Sequence, residues 1–263
     1  MSPLSTQVPG ACSPERTLDT LPCQRVRLYQ PRQGYRFSID ALLLAGHALR
    51  ERIGRFLDAG TGCGVIACAV ADRQRDSSGV AVEVQPSLGA LAADNVALNG
   101  LGDRVSTCIG DLRFLSDETL GTFDTVLMNP PYFPARQGQQ SPTRERAVAR
   151  HQLHGSLAAL VSCVGKLLRS EGRLEMVLPT AQLADGLRAC VGAGLGDIEL
   201  TLLRPRSSAP SHLALITARA GAASWPKVEA VWVVHDHDHV YTEKVWDLLR
   251  GPQGRDDTSG PKA

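Results

Sequence analysis

Asn129-Pro130-Pro131-Tyr132 closes a strand-like apolar run, FDTVLM, and is followed by Phe133. Proline confines the residue before it to extended conformations, so the carbonyl directions at Asn129 and Pro130 are fixed. The two prolines have no N–H, which leaves the segment rich in acceptors. Two fixed acceptors, the Asn129 side-chain oxygen and the Pro130 carbonyl, match the two hydrogens of a planar exocyclic amine such as adenine N6. The lone pair of such a nitrogen is delocalised into its ring, so it is a poor nucleophile. Gripping both hydrogens favours a pyramidal, more nucleophilic nitrogen. Tyr132 or Phe133 could stack on the ring that carries it. No strong base is needed, because the product amine loses its proton easily; the rest is alignment for in-line attack. The competing reading of the same residues is a rigid turn, and the residues upstream decide between the two.

Upstream, LDAGTGCGVIA places Asp58, Gly60, Thr61, Gly62 and Gly64 between a short strand and a helix. Glycines let a backbone turn tightly and approach a ligand, and the following helix start offers unpaired N–H groups. The spacing is GxGxG rather than the GxGxxG of dinucleotide binders, and an acid before it would repel a pyrophosphate. It suits a ligand bearing an ammonium and a carboxylate, such as the methionine part of S-adenosyl-L-methionine. The next strand ends AVEVQ, with Glu83 25 residues after Asp58. A carboxylate there can accept both ribose hydroxyls. The third strand ends CIGD, placing Asp111 at the same edge, where it could accept an adenine amino proton.

These positions require an open α/β sheet. From residue 37 strand-like and helix-like stretches alternate: SIDALLLAGHAL, RFLDAG, GVIACAVADR, GVAVEVQ, SLGALAADNVALNG closed by Gly100, RVSTCIGD, FDTVLMN, LHGSLAALVSCVGKLL, GRLEMVLPT and LADGLRACVGAGL. Such alternation predicts a parallel sheet covered on both faces. DIELTLLRPR and HLALITARAG, joined by SSAPS, predict an antiparallel hairpin edge; KVEAVWVVHD and YTEKVWDLLRG add a late strand and a terminal helix.

Composition narrows the class further. The 263 residues are 43% hydrophobic and 21% charged, as in a soluble globular chain. There is no run of about 18 apolar residues to cross a membrane. Seven cysteines, with no CxxC, read as reduced thiols in a cytoplasmic protein and give no zinc spacing. The net charge of +1 is no nucleic-acid signature by itself. Local clusters are more informative: Arg25, Arg27, Arg32 and Arg36 with no acid between them, and Arg136, Arg144, Arg146 and Arg150 against the single Glu145. Such clusters can bind phosphates, and can equally be solvated surface. Residues 1–24, polar and rich in Pro and Ser, are expected to be a disordered leader without secretory features. A single domain over 25–250 and a flexible tail over 251–263 follow.

The glycine turn with its successive acidic strand ends resembles the class I S-adenosylmethionine-dependent methyltransferase fold over residues 37–220. The resemblance implies a Rossmann-like, mostly parallel seven-stranded sheet with an antiparallel strand near the C-terminal edge. NPPY after the fourth strand resembles the motif of methyltransferases acting on planar nitrogens: adenine N6, guanine N2 or glutamine N5.

The flanks YQPRQGYRFSIDALLLAGHA and NPPYFPARQGQQSPTRERAVARHQ, with EVQPSLGALAADNVALNGL and YTEKVWDLL, resemble the bacterial tRNA-Val adenine N6-methyltransferase family over residues 25–250. This implies S-adenosyl-L-methionine as cofactor, a tRNA substrate methylated near the anticodon, a monomer, and no metal or membrane. Tyr35, Arg36, Phe37 and Asp40 match the segment at the cofactor and entrance, Asn129 to Phe133 the catalytic loop, and Arg144, Arg146, Arg150 and His151 a basic segment read as phosphate contacts. The target base must be unstacked to be reached. Competing readings are a protein glutamine N5-methyltransferase, an rRNA guanine N2-methyltransferase and a non-catalytic RNA-binding relative. His235, His237 and His239 alternate with acids, but a solvated loop explains them better than a metal site.

Overall fold

The structure is a computed structural model that describes residues 15–22, 25–33, 36–131, 156–221, 226–236 and 240–251. Its centre is one sheet. In chain order the strands are β3 (Arg55–Ala59), β4 (Ser78–Glu83), β5 (Val105–Ile109), β6 (Phe123–Met128), β7 (Leu168–Pro179), β8 (Leu195–Arg204), β9 (Leu213–Ala220) and β10 (Lys227–Val233). They lie in the order β10-β8-β9-β7-β6-β3-β4-β5. Only β9 runs antiparallel to its neighbours, β7 and β8; the other neighbouring pairs are parallel.

The described helices are α1 (Ile39–Ala48), α2 (Val65–Arg73), α3 (Pro86–Leu98), the single turn α4 (Asp117–Leu120), α5 (Leu157–Leu167), α6 (Leu183–Gly192) and α7 (Glu243–Arg250). They cover both faces, so the central strands are buried almost throughout and read as unbroken apolar runs. One core holds residues of α1, α2, α3 and α7; the other, across the sheet, holds residues of α5 and α6. Local signals set the element ends. Pro86 opens α3, Gly100 lies just past its end at φ 64°, and the Ser156 hydroxyl caps α5 by accepting from Ala159 N–H at 3.2 Å.

Three expectations are corrected. The sheet has eight strands, not seven, because Lys227–Val233 pairs in parallel with the free edge of β8. The β8–β9 hairpin is therefore not an edge: β9 is inserted between β7 and β8. The stretch read as a leader also contains structure. Arg16–Thr20 (β1) pairs antiparallel with Arg27–Pro31 (β2), and Leu21, Val26 and Leu28 are buried in the core under this hairpin. Those apolar residues supply the burial that a purely polar segment lacks. Residues 1–14 and 252–263 lie outside the described residues.

Candidate active site

β3 lies between β4 and β6, with Ala59 opposite Val82 on one side and Met128 on the other. The chain leaves β3 through α2 toward β4 and later returns to the opposite flank through β6. Their carboxyl ends thus frame the switch point of the sheet, where open α/β folds bind ligands. Gly60 and Asn129, each one residue beyond a paired strand end, leave the sheet side by side.

The turn after β3 depends on its glycines. Gly60, Gly62 and Gly64 have φ of 78°, 59° and 85°, the left-handed region that side chains disfavour. A Cβ on Gly60 would meet nothing within 4 Å, so backbone conformation and not crowding requires glycine there. A Cβ on Gly64 would lie 3.3 Å from Ala92 of α3, so that glycine also permits close packing. Gly60 and Thr61 N–H both donate to Val82 O at 2.9 Å, tying the turn to β4.

The three acids stand on successive strand ends. Asp58 is fully buried: its Oδ2 accepts from the Thr61 hydroxyl at 2.5 Å and from Ala67 N–H at 3.0 Å, while its Oδ1 is buried without a hydrogen-bond partner. Burial pushes its carboxyl up to about 7; the Thr61 and Ala67 hydrogen bonds pull it down, and the nearby Glu83 charge raises it. Glu83 is buried, with Oε2 accepting from Gly62 N–H at 2.9 Å and Oε1 from Gln85 N–H at 2.9 Å. Asp111 caps the short 3₁₀ turn Leu112–Phe114 through Arg113 N–H at 3.0 Å and is gripped by the Arg113 guanidinium at 2.5 Å. Its expected partner, an adenine amino group, therefore has a local rival.

Across the switch point, Asn129 is half-buried, Pro130 buried and Pro131 exposed. Asp40 is buried in the first turn of α1. Phe37 packs partly buried against the core, its N–H donating to Gln30 Oε1 at 3.1 Å.

The arginine cluster near the N-terminus looks different in space. Arg36 is held by Asp19 at 2.9 Å, Thr17 Oγ1 at 2.8 Å and Pro31 O at 3.1 Å, and Arg25 pairs with Asp72 at 2.9 Å. Acids distant in sequence thus compensate part of a cluster that has none of its own. Tyr35, Tyr132, Phe133, Arg144, Arg146, Arg150 and His151 lie outside the described residues, as do His237 and His239. Among the described residues no group of three or more His, Cys, Asp or Glu could hold a metal ion, and no helix is long and apolar enough to cross a membrane. His235 stacks on Tyr241 with ring centroids 4.8 Å apart.

Sequence reading passed over three residues at this edge. Val84, next after Glu83, and Phe114, three residues after Asp111, are 38% and 82% exposed, unusual for large apolar side chains beside a ligand-binding edge. Asn95 on α3 is fully buried and donates to Cys63 O in the glycine turn at 2.8 Å. An apolar residue one or three positions after the acid was a readable signal for the first two; nothing local marked Asn95.

Strand order, glycine turn and acidic strand ends together define the class I methyltransferase architecture. The chain belongs to the methyltransferase small domain family, whose profile matches residues 37–185, and within it to the family of proteins named tRNA1(Val) (adenine(37)-N6)-methyltransferase. The relative of that name from Bacteroides thetaiotaomicron is 34% identical over 214 residues, 80% of this chain and 87% of that protein. The one from Porphyromonas gingivalis strain W83 is 32% identical over 157 residues, 57% of this chain; the match spans only 61% of that protein's length. The fold is also that of a solved predicted O-methyltransferase, Atu636 from Agrobacterium tumefaciens. Its TM-score is 0.66 at 24% identity, covering 81% of this chain and 96% of that one.

Proposed function

We propose that the protein transfers a methyl group from S-adenosyl-L-methionine to the exocyclic N6 of an adenine in tRNA. The observation that carries this reading is the pairing of Ala59 with Met128, which sets the Asn129-Pro130-Pro131 acceptors beside the glycine turn. The adenine and the tRNA are taken from the relatives' names and from the flanking motifs.

The residues present fit the donor. The unpartnered, buried Oδ1 of Asp58 suits a cationic amino group, directly or through water. Open space above Gly60 suits a ligand lying against the backbone. Glu83, held by two backbone N–H groups, has lone pairs left for two ribose hydroxyls. Val84 and Phe114 would cover an adenine ring. When bound, the cofactor supplies an electrophilic methyl on a sulfonium.

The chain's own part is positional. The Asn129 side-chain oxygen and the Pro130 carbonyl hold the two hydrogens of the target amine and turn its lone pair toward the methyl. In this role Tyr132 or Phe133 stacks on the flipped base, and Arg144, Arg146, Arg150 and His151 contact phosphates. The test is nucleoside mass spectrometry of tRNA from a deletion strain, before and after incubation with the purified protein and donor. Loss and recovery of N6-methyladenosine is expected. Recovery of N2-methylguanosine in rRNA, or methylation of a protein glutamine instead, would overturn the reading.

A further inference from the structure

We propose that Asn95 is a positioning residue for the donor site, locking the glycine turn and the N-terminal hairpin into one unit. Its side-chain amide donates to Cys63 O at 2.8 Å and to Tyr29 O at 2.9 Å, and accepts from Tyr29 N–H at 2.7 Å. Both N–H bonds and the oxygen of a fully buried amide are thus engaged.

One helical turn later Asn99 repeats half of this pattern. It donates to Arg27 O at 2.7 Å and accepts from Arg27 N–H at 2.9 Å. The match is geometric. Four residues of helix rise about 6 Å, and two residues of strand advance about 6.8 Å. Residues 95 and 99 on one helix face therefore meet residues 29 and 27 on one strand edge. To β2, α3 presents what a neighbouring strand would, while β1 occupies the other edge.

Only Asn95 extends the clamp to the turn. The Cys63 carbonyl and Gly64 N–H belong to one planar peptide unit, so holding the oxygen toward Asn95 fixes the N–H the other way. That N–H donates to Thr61 O at 3.0 Å. The peptide between the left-handed Gly62 and Gly64 is thereby set, while Glu83 holds Gly62 N–H from the other side. From Tyr29 the connection continues along β2. Gln30 accepts from Phe37 N–H at 3.1 Å and donates to Asp19 at 2.7 Å, holding the entry to α1. The donor-facing backbone is therefore set jointly by β4 and by the hairpin.

The inference rests on reading the glycine turn as the S-adenosylmethionine site, and Asn99 supplies the control. S-adenosylhomocysteine affinity is measured by calorimetry well below each variant's melting temperature. Asn95→Ala and Asn95→Asp should weaken binding roughly tenfold or more, the scale of one lost buried hydrogen bond. Asn99→Ala should also lower the melting temperature, yet bind within roughly twofold of wild type. In the unaltered chain, S-adenosylhomocysteine should slow amide hydrogen exchange at Arg27 and Tyr29, a reading that needs no variant to fold. Wild-type affinity in the Asn95 variants, equal weakening by Asn99→Ala, or unchanged exchange in the hairpin would each overturn the proposal. A wild-type chain that does not bind S-adenosylhomocysteine would instead sink the reading of the turn on which it rests.

Discussion

The Glu83 carboxylate accepts a hydrogen bond from Gly62 N–H at 2.9 Å, so the acid ending β4 is tied to the middle of the turn that follows β3. The same side chain thereby shapes the turn and offers its remaining lone pairs above it. Two substitutions separate these contributions. Glu83→Gln keeps an oxygen for Gly62 but loses the charge and one acceptor; Glu83→Ala loses all of them. S-adenosylhomocysteine affinity should fall in the order wild type, Gln, Ala, with Ala weaker than wild type by roughly 1.5–3 kcal/mol, the range for hydrogen bonds to a charged group. Calorimetric titration reads this directly. Equal affinity for all three chains would remove Glu83 from the ligand site.

Asp58 makes donor binding depend on pH. Its carboxyl is raised from 3.8 to about 7, chiefly by burial. The folded chain therefore holds a proton there that the unfolded chain has released. This group's stabilising contribution is fully present below about 4 and is lost as pH rises through about 7. Binding runs the opposite way. A cationic amino group near Oδ1 favours the ionised carboxylate, so affinity should rise from pH 6 to pH 7.5 and binding below 7 should release a proton. Titrations in two buffers of different ionisation heat measure that proton. Asp58→Asn should abolish both the release and most of the pH slope; an unchanged slope in that variant would place the titrating group elsewhere.

Asn129→Ala tests the acceptor pair. Asn129 is half-buried and lies one residue beyond the last paired residue of β6, so its removal should leave the melting temperature within a few degrees. Donor affinity should stay near wild type, because the turn is held by Val82, Glu83 and Asn95. Methyl transfer should fall by at least roughly a hundredfold in kcat, the scale of losing a group that acts in the transition state. A variant with full activity would refute the proposed grip on the amine.

The parallel centre of the fold and the edge carrying the acids were legible because each rests on a short-range signal. A strand, a glycine turn and a helix follow one another within about twenty residues at Asp58, and a strand leading through an acid into a helical turn recurs at Glu83 and Asp111. What was not legible depends on partners far along the chain. Lys227–Val233 reads as a strand, but nothing within it says that β8 is its neighbour. Arg36 reads as a free cation until Asp19 is folded against it. Asn95 and Asn99 read as a polar helix face until β2, more than sixty residues earlier, is laid along them. Burial turns these amides from solvated side chains into required partners, and burial is a property of the assembled chain.

The most concentrated of these hidden partnerships lies away from the ligand edge, under the C-terminal end of α1. Glu175 on β7 is buried, with Oε1 accepting from Arg173 Nε at 3.0 Å and Oε2 from the Thr217 hydroxyl at 2.9 Å and His47 Nδ1 at 3.1 Å. The Arg50 guanidinium, which can only donate, lies 3.0 Å from His47 Nε2. That nitrogen is therefore the acceptor, and the ring proton sits on Nδ1, directed at Glu175. Arg173 in turn donates to Ala48 O at 3.1 Å, the last residue of α1. The cluster thus pins the end of the helix whose first turn carries Asp40 to the middle of the sheet. Removing Glu175 alone leaves the buried Arg173 guanidinium only the longer pairing with the half-exposed Glu51 at 3.5 Å, so Glu175→Ala should cost about 3 kcal/mol in urea unfolding. Replacing the pair together, Arg173→Met with Glu175→Leu, removes both desolvated charges, and stability should return most of the way toward wild type. Should Glu175→Ala and the double variant unfold at the same urea concentration, packing rather than charge pairing would be what Glu175 contributes.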